Sequence, residues 1–333
     1  MPTGSAHAAV VYNPVKVDLA RLREVVDAEA SAAGWDETKW YETSVEDPGQ
    51  GPTAKALEEG ATVVLAAGGD GTVRAVAEGL HDSGVPIALL PSGTGNLLAR
   101  NLELTLDHLE TSVRTAFTGT DRRIDLGLVE IERDDKSRDK HVFLVMAGLG
   151  LDAKMIANTN DELKKKVGWL AYVDAIARSL RGGNRLRVRF RLDEDEPRSL
   201  SVNTILIGNC GMLPANILLL PEAVVDDGIF DIVALRPQGL LGWIQIWVKV
   251  VWENGILRRT AVGRKFVDQH HKEVRTLRYM KGRTIVIRPE TPQEFQLDGD
   301  TFGQARAVKA WVDPQSLAVR IPSDEADRLP TDR

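Results

Sequence analysis

The sequence predicts an α/β N-terminal domain with a parallel sheet, followed by a β-rich, sandwich-like C-terminal domain. Short apolar runs alternate with helical stretches from Ala8 to about Thr118, which is the pattern of a parallel α/β sheet. After Asp121, paired strand-like runs replace this rhythm. The chain has 333 residues, more than the ~100–200 of one typical domain. The expected parts are an α/β domain at 1–120, a β-rich domain at 121–312, a segment at 313–322 that packs back on the first domain, and a flexible tail at 323–333.

Each element of the first domain follows from its local pattern. Apolar runs bounded by turn residues predict strands, and apolar residues at helical spacing predict helices. The predicted strands are Ala8–Tyr12, Trp40–Glu42, Thr62–Ala67 and Ile87–Leu90. The predicted helices are Asp18–Ala33, Thr53–Glu59, Thr72–Leu80 and Leu97–Leu102. Because parallel strands end at one edge of a sheet, the turns that follow them should face one crevice.

The second domain is expected to consist mainly of strands with two interrupting helices. The predicted strand pairs are Ile124–Ile131 with His141–Ala147 and Arg185–Leu192 with Val202–Ile207. Further predicted strands are Phe230–Leu235, Thr284–Arg288, Glu294–Leu297, Val308–Val312 and Leu317–Ile321. The predicted helices are Asp161–Leu180 and Leu240–Leu257.

Composition excludes several classes of protein. A single cysteine, Cys210, rules out a disulfide framework, and the six histidines are scattered without cysteine partners that would suggest a zinc site. The formal net charge of -6 gives no overall attraction to nucleic acid. No apolar run reaches the ~18 residues of a membrane span, and the N-terminus lacks the charged start of a signal peptide. We therefore expect a cytoplasmic protein.

The most informative motif joins an apolar run to glycines and then to a helical pattern. Val63–Ala67 leads into Gly68-Gly69-Asp70-Gly71-Thr72. Glycines allow positive φ and remove the Cβ atoms that would keep a phosphate away from main-chain N–H groups. No lysine follows the second glycine as a Walker loop requires. The motif predicts phosphate binding, and a tight connection without a ligand is the alternative.

A second strand-to-helix turn follows about twenty residues later. The strand Ile87–Leu90 leads through Pro91 to Ser92-Gly93-Thr94-Gly95-Asn96. Alone, this turn is equally well explained as a helix N-cap. Together with Asn13-Pro14 after the first strand, it predicts polar turns from three strands at one sheet edge.

These motifs resemble those of the diacylglycerol kinase catalytic-domain family, specifically the soluble bacterial lipid kinases related to sphingosine and ceramide kinases. That family pairs a Gly-Gly-Asp-Gly-Thr loop with a Gly-Thr-x-Asn turn, found here at Gly68–Thr72 and Gly93–Asn96. Later segments also match in order, at Gly148–Ala153, Pro221–Ile229 and Leu297–Asp300. The resemblance implies a fold shared with NAD kinases and an ATP-dependent lipid kinase that uses Mg²⁺.

The resemblance also implies roles for individual residues. The nucleotide-binding set is Asn13, Thr43, Gly68, Gly69, Asp70, Gly71, Thr72, Gly93, Thr94, Gly95 and Asn96. Asp70 is implied to connect the nucleotide loop to a Mg²⁺ and water network, and Asp300 to accept the proton of the acceptor hydroxyl. The implied magnesium ligands are Asp227 and the carbonyls of Val224 and Ile229. The alternatives are plain turns at Asp226–Gly228 and Asp298–Asp300.

This chain departs from the family pattern at the proposed base. Asp300 stands where the resemblance leads us to expect a glutamate. Aspartate has similar acidity but reaches one methylene less far, so a small backbone adjustment is needed to bring it within ~3 Å of the hydroxyl. Other departures, such as Arg74-Ala75 and Leu97 in place of acidic or amide residues, loosen the inference about the acceptor.

Local features favour peripheral contact with an anionic membrane. Leu240–Trp252 is apolar on nearly all sides and carries three tryptophans, and Lys249–Arg288 contains eleven basic against three acidic residues. The alternative is a core helix followed by a solvated strand face. Arg185, Arg187, Arg189 and Arg191 alternate along one strand and so share a face. That face either binds anionic head groups or has no ligand.

Three readings of function compete. The preferred one is phosphorylation of diacylglycerol or a related lipid at the membrane surface. An NAD kinase or phosphofructokinase-like sugar kinase shares the Gly-Gly-Asp-Gly loop but does not account for the later motifs. A catalytically weak nucleotide- or lipid-binding regulatory module is the third, motivated by Asp300. No nucleic-acid motif accompanies the basic residues, and the sequence leaves the oligomeric state open, a homodimer included.

Overall fold

The computed structural model describes residues 7–150, 186–213, 217–236 and 277–323. These residues form two compact units. The first contains the described residues up to Leu126 and those from Asp313 onward, and the second extends from Gly127 to Val312. No helix in this part of the chain is long and apolar enough to cross a membrane.

The first unit alternates strands and helices in chain order. Its elements are β1 (Ala8–Tyr12), α1 (Leu19–Ala32), β2 (Lys39–Glu42), α2 (Gln50–Glu58), β3 (Val63–Gly68), α3 (Asp70–Leu80), β4 (Ile87–Pro91), α4 (Leu97–Asn101) and α5 (Leu109–Thr118). The strands run parallel in the order β2-β1-β3-β4. The predicted α/β domain with a parallel sheet is confirmed.

The central strands of this sheet are apolar on both faces because helices cover both. Every residue of β1 and β3 is buried, which is typical of a parallel sheet inside an α/β layer. Leu22 and Val26 of α1 and Val113 and Phe117 of α5 contribute to one core cluster with side chains of these strands. Asp18 begins α1 by accepting the N–H of Arg21 at 3.2 Å.

Two helices differ from the sequence-based expectation. Helix α3 begins at Asp70, not at Thr72, so most of the predicted loop forms its first turn. Helix α5 was absent from the predicted elements, although Leu109, Val113 and Phe117 lie at helical spacing. Ends of other helices shift by one to three residues, as is usual for helix termini.

The second unit consists of strands. Its elements are β5 (Thr120–Glu132), which begins in the first unit, and β6 (Arg138–Phe143), β7 (Met146–Leu149), β8 (Leu186–Leu192), β9 (Arg198–Val202), β10 (Thr204–Gly208), β11 (Met212–Leu213), β12 (Ile217–Leu218), β13 (Phe230–Leu235), β14 (Leu277–Gly282), β15 (Thr284–Pro289), β16 (Gln293–Leu297), β17 (Asp300–Ala305) and β18 (Ala307–Ile321), which ends in the first unit.

Two antiparallel sheets face each other in this unit. One contains strands in the order β18-β15-β8-β9, with β5 paired to β18 and β6 paired to β5, and the other has the order β14-β13-β10-β7-β16-β17. A single cluster of buried side chains draws on both, including Phe190 and Ile287 from the first sheet and Phe230 and Phe295 from the second. The predicted β-rich, sandwich-like domain is confirmed.

Several predicted strands divide or fuse. His141–Ala147 is split between β6 and β7, which pair with different partners. Val202–Ile207 is likewise split, because Val202 ends β9 while Thr204 begins β10 in the opposite sheet. Val308–Val312 and Leu317–Ile321 fuse into the single strand β18. The apolar pattern does not reveal such changes of sheet, because the strand residues next to each break are buried on both sides of it.

Some predicted features lie outside the described residues. These are the helices Asp161–Leu180 and Leu240–Leu257, the strand start at Arg185, most of the basic stretch from Lys249 onward, and nearly all of the 323–333 tail. The membrane role of Leu240–Trp252 accordingly stays a prediction.

Candidate functional site

In the first unit, the backbone hydrogen bonds between neighbouring parallel strands continue for one residue beyond the ends of the strands. The N–H of Asn13 donates to Ala67 O at 2.9 Å, and that of Thr43 donates to Tyr12 O at 2.9 Å. The N–H of Ser92 donates to Gly68 O at 3.1 Å. The three predicted polar turns, together with Thr43 after β2, therefore follow four neighbouring strands at one sheet edge, where ligands of open α/β sheets bind.

Asn13 and Thr43 differ in what their side chains do. The Asn13 side-chain oxygen accepts the N–H of Val15 at 3.0 Å, which closes a local turn. Thr43 is buried at 4% exposure, directly after β2. Both occupy the edge to which the sequence assigned them, and their nucleotide contacts stay a prediction.

Gly68 of the first turn is required for close packing, and none of the three glycines in that turn is required for positive φ. Gly69 has φ of −89°, and neither Gly68 nor Gly71 has positive φ, so the expected left-handed turn is wrong. A Cβ on Gly68 would lie 2.6 Å from the Thr72 side chain. A Cβ on Gly93 would lie 2.8 Å from the Gly69 Cα. The two glycine turns therefore contact each other through backbone.

Asp70 connects the two turns. Its Oδ2 accepts the N–H of Asn96 at 3.0 Å, and its Oδ1 accepts the N–H of Leu97 at 2.5 Å. One carboxylate at the first residue of α3 thus satisfies donors at the start of α4 that have no partner within that helix. Gly95 has no room for a side chain because a Cβ there would overlap the same carboxylate. The sequence did not reveal this positioning role.

The second turn is closed by its own asparagine. Asn96 has φ of 48°, a left-handed conformation that asparagine tolerates better than most residues. Its Oδ1 accepts the N–H of Gly93 at 3.0 Å, and its Nδ2 donates to Gly93 O at 2.9 Å. The Arg100 Nε donates to Gly95 O at 2.7 Å. Arg100 is a positioning residue that no sequence motif indicated.

A pair of alanine substitutions separates ligand contact from loop geometry. At Gly69 an added Cβ meets only Gly93 Cα at 3.7 Å, so Gly69→Ala is expected to keep the fold. If a phosphate approaches this backbone, the methyl group should weaken ATP binding about tenfold or more. Isothermal titration calorimetry with ATP in the presence of Mg²⁺ measures this loss of affinity.

Gly93→Ala is the companion variant, because its Cβ overlaps backbone at 2.8 Å. This variant should lose both stability and ATP binding. Wild-type ATP affinity in a folded Gly69→Ala protein would remove the first turn from the phosphate site.

Asp300 begins β17 after a two-residue hairpin turn. Asp298 and Gly299 have φ of 49° and 93°, as in the type I′ turns that join tightly paired strands. Leu297 pairs with Asp300 across this turn, and the Asp300 side chain is exposed. Asp298–Asp300 therefore forms the hairpin turn that was the alternative explanation. This turn does not exclude Asp300 as a base, since it places Asp300 at the start of a strand.

The hairpin is anchored by Asp298, which the sequence did not single out. Its side chain is 6% exposed and accepts the N–H groups of Leu144, Val145 and Met146 at 2.8, 2.8 and 2.9 Å. The Asp298 N–H also donates to Met146 O at 2.9 Å. A buried carboxylate with three backbone donors is held firmly, so the turn preceding Asp300 is fixed.

The predicted magnesium ligands lie in the turn before β13. Asp227 Oδ1 accepts the N–H of Ile229 at 3.1 Å, and Gly228 between them has φ of 73°. The Asp227 side chain and Val224 are exposed, Val224 at 46%. A carboxylate and backbone carbonyls fit a hard cation such as Mg²⁺. The turn alternative describes the backbone equally well.

Negative charge is concentrated beside this turn. Burial raises the pKa of Asp231, and the charges of Asp227 and Glu222 add to that increase while Lys281 opposes it. Burial alone lowers the pKa of Lys281, but its contacts with Asp231 and Glu222 outweigh this and leave the pKa raised. The Lys281 ammonium lies 3.2 Å from Asp231 and 3.3 Å from Glu222. The surroundings of Asp227 therefore favour a further cation.

A parallel α/β unit with glycine turns at its strand ends, followed in sequence by a β-sandwich unit, defines the class of two-domain kinases to which diacylglycerol kinases and NAD kinases belong. Residues 7–129 match the diacylglycerol kinase catalytic domain. Residues 145–321 match the YegS C-terminal NAD kinase beta sandwich-like domain. The chain belongs to the YegS-like family of lipid and diacylglycerol kinases.

Relatives with this arrangement match over most of the chain. A "Probable lipid kinase YegS-like" protein of Pseudomonas fluorescens is 33% identical over 91% of this chain and 91% of its own length. An uncharacterised protein of Synechocystis is 25% identical over 80% of this chain. The match spans 57% of that longer Synechocystis protein.

Solved structures support the fold. A diacylglycerol kinase of Bacillus anthracis has a TM-score of 0.68 at 18% identity and covers 97% of this chain and 99% of its own. The yeast NADH kinase complexed with NADH has a TM-score of 0.54 at 7% identity, covering 98% of this chain and 86% of its own. At such identities the likeness concerns fold alone.

Proposed function

We propose that the protein transfers the γ-phosphoryl group of ATP to a hydroxyl of diacylglycerol or a related lipid at a membrane surface. The observation that carries this proposal is the joining of two glycine turns by the Asp70 carboxylate at the carboxyl edge of a parallel sheet. Phosphoryl transfer depends on such positioning and on charge neutralisation, with little covalent chemistry by the protein. Family membership favours a lipid acceptor.

In this proposal the two turns hold the nucleotide phosphates. Gly68–Thr72 and Gly93–Asn96 bring backbone close to the ligand, and the 11-residue helix α3 directs its N-terminus at that edge. Asn13 and Thr43 flank them at the ends of β1 and β2. The Asp70 carboxylate fixes the relative position of the turns and borders the phosphates, where it would help to hold Mg²⁺.

Asp300 is proposed as the general base. The acceptor oxygen attacks the γ-phosphorus, the bond from that phosphorus to the β–γ bridging oxygen breaks, and the hydroxyl proton passes to the Asp300 carboxylate. ADP leaves with the bridging oxygen. The firm anchoring of the preceding turn by Asp298 supports this role, because a base must lie within hydrogen-bond reach of the proton it accepts.

Substitutions at Asp300 test the proposal. Asp300→Asn should lower kcat about 100-fold or more, since an amide is a poor proton acceptor, while ATP affinity stays at the wild-type value. Asp300→Glu should retain or raise activity if the longer side chain reaches the same hydroxyl. The assay is ATP-dependent phosphorylation of short-chain diacylglycerol, with NAD⁺ as the alternative acceptor.

Two outcomes would count against this assignment. Full activity of Asp300→Asn on diacylglycerol would remove Asp300 from proton transfer. If the wild type phosphorylated NAD⁺ and not diacylglycerol, the acceptor would be NAD⁺ and the lipid assignment would be wrong.

A magnesium ion at Asp227 is a separate part of the proposal. Mg²⁺ should raise the thermal unfolding midpoint of the wild type, because a ligand that binds only the folded state stabilises it. Asp227→Ala should abolish that rise, and Asp226→Ala provides the neighbouring control. If Mg²⁺ raised the unfolding midpoint of the Asp227→Ala protein by the same amount, Asp227 would not be a magnesium ligand.

A further inference from the structure

The outer face of one sheet in the second unit is strongly basic. Strands β8, β15 and β18 place five cationic side chains on it, all exposed, and we name this set the arginine face: Arg187, Arg189, Arg191, Arg288 and Lys309. The intervening residues Val188 and Phe190 point into the sandwich core, as strand alternation requires.

Strand register makes these side chains contiguous. Arg189 pairs with Arg288 on the neighbouring strand. Val286 pairs with Arg191 on one side and with Lys309 on the other. Strands lie ~4.8 Å apart and alternate residues ~6.6 Å apart along a strand, so the cations form a continuous patch on a broad, open surface.

The central arginines of this patch have no neutralising carboxylate among the residues that the structure describes. No carboxylate in the described part of the chain forms an ion pair with Arg187, Arg189 or Arg191, whereas Arg288 approaches Glu132 at 3.7 Å. The backbone N–H of Glu290 donates to Arg187 O at 2.9 Å, which places one acidic residue at the patch edge. Basic charge therefore exceeds acidic charge on this face, although the whole protein carries a net charge of -6.

An aromatic ring extends the patch. The Lys309 ammonium lies 5.1 Å from the centre of the Trp311 ring, and Trp311 is partly exposed on the same face, paired with Thr284. Tryptophan beside cations is typical of surfaces that meet the head-group region of a bilayer. Two serines of β9, Ser199 and Ser201, pair with Arg189 and Arg187 and add hydrogen-bonding groups.

We propose that the arginine face binds the anionic head groups of a phospholipid bilayer and thereby holds the protein against the membrane. A sheet face that presents exposed guanidinium groups, with no carboxylate partner for the central three among the described residues, complements a planar array of phosphates, which guanidinium binds well. This proposal rests on the proposed lipid-kinase function, because it supplies the surface at which a membrane-embedded acceptor is met.

Vesicle binding by a triple variant tests the face. Wild type, Arg187→Gln/Arg189→Gln/Arg191→Gln and a control are mixed with phosphatidylcholine vesicles, with or without about one third phosphatidylglycerol, and sedimented. Each basic residue near an anionic surface contributes about fivefold, so the triple variant should lose up to about 100-fold in partitioning at low salt. Raising salt from about 0.1 to 1 M should weaken wild-type binding, because it shortens the Debye length from about 10 to 3 Å.

The matched control is Arg21→Gln/Lys39→Gln/Arg114→Gln. It removes the same charge from exposed basic side chains of the first unit that are each ion-paired, with Glu110, Glu59 and Glu29. This control should partition like the wild type. Both variants should retain the wild-type urea unfolding midpoint. A loss of vesicle binding would then result from the changed surface charge and not from unfolding.

Three results would overturn the proposal. They are equal binding of the wild type to neutral and anionic vesicles, an equal loss in both triple variants, and binding of an oligonucleotide instead of vesicles by the same arginines. An assay on water-dispersed short-chain diacylglycerol tests the lipid-kinase proposal without a membrane. Activity in that assay, without charge-dependent vesicle binding, would contradict the arginine-face proposal and leave the lipid-kinase proposal standing.

Discussion

Replacement of Asp70 by asparagine is expected to lower kcat about 1,000-fold while leaving the protein folded. The Asp70 carboxylate accepts the N–H groups of Asn96 and Leu97 and, in our proposal, helps to hold Mg²⁺ beside the phosphates. Asparagine keeps one acceptor oxygen but loses the charge that both tasks require. Removal of a single pre-positioned electrostatic group often costs about 100- to 1,000-fold in rate, and here the loop geometry is weakened as well.

Steady-state kinetics and urea unfolding of Asp70→Asn measure the two effects separately. The free energy of unfolding should fall by only about 1–2 kcal/mol, as for a charged hydrogen bond. Asp18→Ala is the matched control, because Asp18 also accepts a backbone N–H at a helix start. It should lose a similar ~1 kcal/mol with wild-type kcat. Wild-type kcat for Asp70→Asn would exclude Asp70 from the site.

Asp298→Ala is expected to produce the largest loss of stability. It removes the acceptor of three N–H groups in the Leu144–Met146 segment and leaves those donors buried. Each buried unsatisfied donor costs about 1–3 kcal/mol, so a combined loss of at least about 3 kcal/mol is expected for the three donors. Asp298→Asn should lose less because one side-chain oxygen remains. Equilibrium urea unfolding followed by circular dichroism is the measurement.

Asp193→Ala serves as the control for this loss. Asp193 Oδ1 also accepts two backbone N–H groups, those of Arg283 and Thr284, both at 2.8 Å, but its side chain is exposed. Water can replace that acceptor, so the cost should be about 1 kcal/mol. If Asp298→Ala destabilised no more than Asp193→Ala, the anchoring of the Asp300 hairpin by Asp298 would be wrong.

The parallel sheet of the first unit was predictable because each strand is a buried apolar run followed by a turn. Val63–Ala67 and its glycines show this best. The sequence located the turn but misjudged its chemistry, since Gly69 has φ of −89°. Glycine is needed at positions 68 and 93 because Thr72 and the Gly69 backbone occupy the space of a Cβ. Close approach between segments has no local sequence signature.

The second unit was less predictable because its partners are distant in sequence. Asp298 binds N–H groups more than 150 residues earlier, and nothing around Asp298 distinguishes it from an ordinary hairpin aspartate. Asn203, between β9 and β10, likewise gives no sign that the chain changes sheet there. The alternation along β8 correctly predicted that Arg187, Arg189 and Arg191 share one face, which is exposed in the structure, because strand periodicity is local.

The most direct test of lipid-kinase activity is transfer of label from γ-labelled ATP to a total lipid extract in the presence of Mg²⁺. We expect a labelled product that partitions into organic solvent and that mass spectrometry identifies as a lipid plus one phosphoryl group. Asp70→Asn and Asp300→Asn should abolish nearly all of it. Absence of labelled lipid from a folded, ATP-binding wild-type protein would contradict the lipid-kinase assignment.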